Sequence, residues 1–258
     1  MAKIYTTEIT SEHIPSDNPI HQRLFRAYVA AEPYVSGDVL EVGCGEGRGV
    51  ELLMQKASSF TAVDKIEGAL QVLRDKFPDA RFLAMNLPPL HGLGDNSFDC
   101  VVSFQVIEHI KEDRFYLQEI HRVLKPGGVA LITTPNRKMS LSRNPWHIRE
   151  YLADELENLA KGIFSEVQMK GITGNEKVMA YHEQNKKSVA RLMRWDIFNL
   201  QYNLPAWMLR FPYEVMNRLN RNKLQTGDQS LVQSIRHEDY VVTDDAANAL
   251  DLFLIVRK

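Results

Sequence analysis

Val39-Leu-Glu-Val-Gly-Cys-Gly-Glu-Gly-Arg-Gly49 runs from an apolar β-type stretch into a glycine-rich turn and then into a segment of helical period. Glycines at such a turn permit positive φ and let a ligand approach the backbone at the carboxyl end of a parallel strand, where α/β proteins place their ligands. A dinucleotide fingerprint, Gly-x-Gly-x-x-Gly, would put its third glycine at position 48, which is Arg48; the glycines here are Gly43, Gly45 and Gly47, preceded by acidic Glu41. The spacing therefore disfavours NAD. A second acid, Asp64, closes the next apolar run, Phe60-Thr-Ala-Val-Asp64, nineteen residues after Gly45. A carboxylate there can accept hydrogen bonds from both hydroxyls of a ribose, or it can cap the helix that follows.

Working outward, short apolar runs at Val39 to Val42, Phe60 to Val63, Arg81 to Ala84, Cys100 to Phe104 and Val129 to Thr133 alternate with helical-period segments at Gly49 to Lys56, Ile66 to Phe77 and Arg114 to Leu124. This alternation predicts a doubly wound α/β fold with a mostly parallel, Rossmann-like sheet, since apolar strands covered on both faces are the mark of βαβ units. Asn18 to Tyr34 reads as an amphipathic helix that either packs on the sheet or covers its ligand-binding edge. Later segments add a helix at Ala153 to Lys161, an alternating strand at Phe164 to Ile172, and a closing strand at Ala249 to Val256.

Of the 258 residues, 44% are hydrophobic and 25% charged, which excludes disordered and fibrous classes. The formal net charge of −2 leaves no global pull toward nucleic acid. Cys44 and Cys100 stand far apart without a paired motif, so neither a disulfide nor a zinc framework is expected. With no apolar leader and no long apolar run, a cytoplasmic protein is expected.

Three further stretches fall in order behind Gly43 and Asp64: Phe82-Leu-Ala-Met-Asn-Leu-Pro-Pro89, Asn96 through Ile110, and Leu124-Lys-Pro-Gly-Gly through Asn136. Over residues 38–136 the series resembles the class I S-adenosylmethionine-dependent methyltransferases, of the type 11/23 kind. The resemblance implies S-adenosyl-L-methionine as cofactor and a seven-stranded sheet whose last strand is antiparallel. It also implies that Glu41, Gly43 and Gly45, with their loop neighbours Cys44 and Gly47, hold the methionine and ribose parts, and that Asp64, beside Lys65, binds the ribose hydroxyls. Asn86 stands where the family often has an acid for the adenine amino group; its amide oxygen can still accept that hydrogen bond, and Met85 and Leu87 would flank the ring. Ser103, Phe104 and Gln105 would lie beside the methionine portion. Cys44 at a helix start has the position of a nucleophile, but the resemblance implies a small loop filler, since the family often has Cys or Ser there.

Gln105-Val-Ile-Glu-His109 with His147 is similar to the RNA 3′-terminal 2′-O-methyltransferases, where a Glu-x-x-Glu-His string and a later His bind a divalent metal. Here Gln105 replaces the first carboxylate, which removes an anion a hard cation needs, so no metal is expected. Asn144-Pro-Trp-His-Ile-Arg-Glu-Tyr151 follows the fifth strand and offers His147 and Glu150 as catalytic candidates, His147 as general base. A structural loop in which the two hydrogen-bond the backbone explains the same residues.

Residues 175–236 carry ten Lys/Arg against five acids, so this segment is net +5 and the rest of the chain net −7. It is rich in aromatic residues, Trp195, Phe198, Tyr202, Trp207, Phe211 and Tyr213 among them, and Pro205 and Pro212 are expected to break it into short helices. The organisation expected is an N-terminal helical cap (1–36), a cofactor-binding core (37–174 and 237–258) and an inserted basic aromatic helical lid (175–236). The insert can pack as a small core, cover the substrate, or rest on a membrane. Transfer of a methyl group to O, N or C of a small-molecule, glycan-linked or lipid-linked acceptor is the expected function, and nucleic acid is not the expected partner. The alternatives are an RNA 2′-O-methyltransferase and a non-catalytic protein that binds S-adenosylmethionine. The insert and the closing Ala249-Leu-Asp-Leu-Phe-Leu-Ile-Val-Arg-Lys258 are loosely similar to bacterial methyltransferases of the quinone-biosynthesis and surface-glycan types.

Overall fold

A computed structural model describes residues 15–258 except Trp195, Ile197, Phe198 and Asp228. The first fourteen residues of the expected cap, and Trp195, Phe198 and Asp228 of the expected insert, thus lie outside the described residues.

In chain order the elements are α1 (Asn18–Ala31), β1 (Asp38–Val42), α2 (Val50–Met54), β2 (Ser59–Asp64), α3 (Glu67–Lys76), β3 (Arg81–Ala84), β4 (Phe98–Phe104), α4 (Asp113–Val123), β5 (Leu124–Pro135), α5 (Ala153–Lys161) and β6 (Glu166–Gly174). There follow α6 (Glu176–Met193), α7 (Leu200–Asn203), α8 (Ala206–Gly227), α9 (Gln229–Ser234), β7 (Tyr240–Thr243) and β8 (Asp251–Arg257). The strands form one sheet of order β3-β2-β1-β4-β5-β8-β6-β7. β1 to β5 pair in parallel, and β8 runs antiparallel between β5 and β6, with Leu131 opposite Ile255 and Gln168 opposite that same residue on the other side. The doubly wound, Rossmann-like expectation holds.

The sheet has one strand more than the seven expected. Tyr240–Thr243 adds an antiparallel edge beside β6; four residues between a turn and a short 3-10 segment are too few to show a period. Helices on both faces bury apolar residues against the sheet, which separates two cores. Val39, Cys100, Val102 and Leu131 point to one, and Leu40, Val101, Ala130 and Ile132 to the other, the period-two alternation of a strand covered on both sides.

α1 ends at Ala31 and passes into a 3-10 turn at Glu32–Tyr34, where Pro33 cannot donate to a continuing helix. Pro205 does precede a helix start, but Pro212 does not break one: it lies inside the 22-residue α8. Pro212 sits on the exposed side with Met208, whose carbonyl loses its i+4 donor and can turn to water, so the helix continues. Among the described residues no helix is long and apolar enough to cross a membrane.

Candidate active site

The β1 carboxyl end delivers the glycine turn. Gly43 and Gly45 both have positive φ, +84° and +53°, but for different reasons. A Cβ on Gly43 would lie 2.3 Å from Val106 Cγ2, whereas nothing lies within 4 Å of a Cβ on Gly45. Gly43 lets two loops pack; Gly45 leaves a cradle open. Asp64, at the end of β2, ties the turn down: its Oδ2 accepts from Gly45 N at 2.8 Å and its Oδ1 from Ile66 N at 2.9 Å.

A cavity of about 440 Å³ opens over this turn, within the range of small-molecule sites. Of the residues expected to hold the cofactor, Gly43, Cys44, Gly45, Gly47, Asp64, Lys65, Met85, Asn86, Leu87, Phe104 and Gln105 line it. Glu41 and Ser103 do not; they lie behind the wall. Glu41 Oε1 accepts from Tyr28 Oη at 2.7 Å, while its buried Oε2 has no hydrogen-bond partner among the described residues. Burial, opposed by the Tyr28 hydrogen bond and reinforced by the Asp64 charge, pushes the Glu41 carboxyl up to about 7. Ser103 is fully buried and shares a 2.6 Å hydrogen bond with Tyr116 Oη. Burial raises the Cys44 thiol far above its ordinary range, so it is a loop filler with no thiolate at neutral pH.

α1 adds His21, Leu24 and Tyr28 to the wall, and the segment after β4 adds Val106, His109 and Ile110. The amphipathic pattern pointed to this helix without distinguishing packing from covering, and the structure shows both. Ala27, Tyr28 and Ala31 are buried in the core, while His21 takes a 2.8 Å hydrogen bond from Arg48 Nη1 across the mouth. Contacts of this kind join residues 27 positions apart, and no local pattern announces them.

Gln105, which directly follows β4, has a left-handed backbone with φ +59°, a conformation held at a cost by surrounding contacts. Its N–H donates to Thr133 O at 2.9 Å and its Nε2 to Thr133 Oγ1 at 3.3 Å. Gln105, Leu24 and His109 also line a second cavity of about 270 Å³, so the two spaces adjoin.

That second chamber holds the loop after β5. His147 Nδ1 lies 2.6 Å from Glu150 Oε1, and Asn144 Nδ2 lies 2.8 Å from His147 Nε2. A carboxylate only accepts, so Nδ1 carries the proton and Nε2 keeps the lone pair. Burial works against the Glu150 carboxylate, but hydrogen bonds from His147 and Ser140 and the nearby Arg137 charge outweigh it and hold the group below its ordinary range. The His147–Glu150 pair is thus made side chain to side chain rather than through the backbone. Residues of α1, α6 and α8 also line the chamber, the last two from the segment expected to be a basic aromatic helical lid.

Glu108, His109 and His147 present ligand atoms within 4.8 Å of one another. Each already has a partner: Glu108 Oε2 accepts from Thr134 Oγ1, His109 Nδ1 faces Trp146 O, and His147 Nδ1 faces Glu150. Burial, only partly countered by hydrogen bonds such as that from Thr134, raises the Glu108 carboxyl to about 7.

Residues 40–132 match the family model described as a methyltransferase domain. Over 161 residues, 58% of each chain, the sequence is 38% identical to a probable S-adenosylmethionine-dependent methyltransferase of Mycobacterium tuberculosis. Over 136 residues it is 42% identical to a probable protein of that kind from Mycolicibacterium smegmatis, covering 51% of this chain and 52% of the relative. The chain therefore spans between half and three fifths of the length of these curated relatives. Among solved structures, a Thermotoga maritima S-adenosylmethionine-dependent methyltransferase, described as a possible histamine N-methyltransferase, aligns over 93% of this chain and 92% of its own with a TM-score of 0.55 at 17% identity, a likeness of fold. Motif order and sequence match agree that residues 40–132 form a methyltransferase domain, and the relatives that share it are S-adenosylmethionine-dependent, which implies S-adenosyl-L-methionine as cofactor.

Proposed function

We propose that this chain transfers the methyl group of S-adenosylmethionine to an acceptor atom, oxygen foremost, of a small-molecule, glycan-linked or lipid-linked substrate seated in the 270 Å³ chamber. The observation that carries the reading is the adjacency of the two cavities through Leu24, Gln105 and His109, which sets the glycine cradle beside the His147–Glu150 pair.

The bound cofactor supplies a methyl group already activated by its sulfonium. The glycine turn from Gly43 to Gly47, with Phe104 and Gln105, is assigned to its methionine and ribose parts. Asp64 spends one acceptor direction of each oxygen on the backbone and keeps others for ribose hydroxyls, with Lys65 beside it. Met85, Asn86 and Leu87 form the adenine side. Glu41 supports the turn from behind through Tyr28.

Placement in line with the methyl carbon provides most of the acceleration. A weakly acidic hydroxyl needs proton removal as well, and that is the role assigned to His147. His147 Nε2 would accept the proton that the acceptor hydroxyl loses as its oxygen takes the methyl group, so that the positive charge brought by the sulfonium ends on the imidazole. Glu150 holds the imidazole in the required tautomer and stabilises the imidazolium. Asn144 occupies Nε2 in this structure, so the acceptor hydroxyl has to take over that position.

The test is incubation of the full chain with methyl-labelled S-adenosylmethionine and fractionated extract. Label in a polar small-molecule, glycan or lipid pool is expected. Label confined to RNA would overturn the acceptor assignment, and S-adenosylhomocysteine binding with no labelled product in any fraction would favour a non-catalytic protein.

A further inference from the structure

α8 presents two faces of opposite character. Tyr213, Asn217, Asn220 and Arg221 line the 270 Å³ chamber. Trp207, Phe211, Val215 and Leu219 recur every fourth residue, and all are exposed, by 71%, 76%, 42% and 64%. A spacing of four drifts by only about 40° per step on an α-helix, so the series is one continuous stripe roughly 18 Å long, turned away from the chamber-facing residues. Met208 and, on α7, Leu200 and Tyr202 extend the exposed apolar surface.

The charge around this surface has one sign in excess. Residues 175–236 are net +5. Lys187, Arg191, Arg194, Arg210 and Lys223 are exposed, whereas Arg218 and Arg221 are already paired with buried Asp17. Large aromatic and aliphatic groups on one side of a helix, with Lys and Arg around them, are the composition of a helix that lies in a lipid interface. Trp and Tyr suit the headgroup level because one end is apolar and the other polar.

We propose that the Trp207–Leu219 stripe of α8, together with the exposed cations of residues 175–236, docks this chain on an anionic lipid bilayer. Docking would hold the helix that walls the acceptor chamber at the surface where a lipid-linked acceptor resides. This extends the methyl-transfer reading, but vesicle partitioning is measured without turnover, so failure of one is distinguishable from failure of the other.

The experiment is co-sedimentation of the full chain with phosphatidylcholine vesicles with and without phosphatidylglycerol. The chain should pellet with the anionic vesicles and be released as salt rises. Phe211→Glu combined with Leu219→Glu should lower the partition coefficient by about tenfold or more while leaving S-adenosylhomocysteine affinity unchanged, which shows that the variant is folded. Absence of pelleting with either vesicle, or equal pelleting of the variant, would overturn the proposal. So would a dimer in sedimentation velocity that the double variant dissociates without any vesicle binding, since a second copy would then cover the stripe.

Discussion

His147 and Glu150 sit three residues apart on a loop and meet at 2.6 Å between Nδ1 and Oε1, with both side chains largely buried. His147 lines the chamber that adjoins the glycine cradle. His147→Gln should lower kcat by about 10²- to 10⁴-fold on a hydroxyl acceptor. Glu150→Gln should lower kcat by a smaller factor while leaving cofactor affinity intact. Steady-state kinetics of both variants check this; near-normal kcat in His147→Gln would reduce the pair to a structural role.

Asp64 satisfies two backbone N–H groups at the turn. Asp64→Ala leaves both without an acceptor, which should cost about 1–3 kcal/mol of stability and weaken S-adenosylhomocysteine binding further through loss of the ribose contact. Asp64→Asn keeps one oxygen and should fall between. Thermal melts and calorimetric titration separate the two effects.

Gly43→Ala and Gly45→Ala should fail differently. At Gly43 the new methyl would overlap Val106, so the fold should lose roughly 1–3 kcal/mol. At Gly45 the methyl meets no protein atom, so the melt should shift less while cofactor affinity drops more. Equal ratios of stability loss to affinity loss would contradict the distinction.

Glu41 titrates at about 7 in the folded chain against an ordinary value of 4.5. Between these values the folded state binds more protons than the unfolded state, so this group lowers stability as pH rises through that interval. Glu41→Gln, which keeps an acceptor for Tyr28, should remove that contribution. The difference in melting temperature between variant and wild type should grow in favour of the variant from pH 4.5 toward 7 and then level off.

Chelation gives a further expectation. Gln105 offers no charge where a metal site would want a carboxylate, and Glu108, His109 and His147 are each hydrogen-bonded within the protein. EDTA should therefore leave turnover unchanged; loss of activity restored by a divalent cation would show that these three groups exchange their partners for metal.

The parallel strands were legible because each is a short apolar run bounded by turn residues, and burial on both faces leaves no other reading. The glycine turn and Asp64 beside it were legible for a related reason: glycine spacing and the acid after β2 are local demands of a strand-to-helix turn. β7 was missed because an edge strand of four residues carries little periodicity. Pro212 was misread because helix breaking depends on whether the orphaned carbonyl can reach water, which sequence does not state.

By itself, the sequence determined the α/β class, the position of the glycine cradle and the presence of Asp64 beside it, since these follow from backbone geometry within one βαβ unit. Tertiary structure alone decided that Glu41 and Ser103 lie behind the wall, that α1 contributes to the cavity over the glycine turn, that His147 and Glu150 pair in the adjoining chamber, and that α8 turns one face to that chamber and the other outward. Those facts depend on burial and on contacts between distant segments, such as Arg48 with His21 and Arg221 with Asp17. Such contacts exist only once long-range packing has paid the entropy of bringing the segments together.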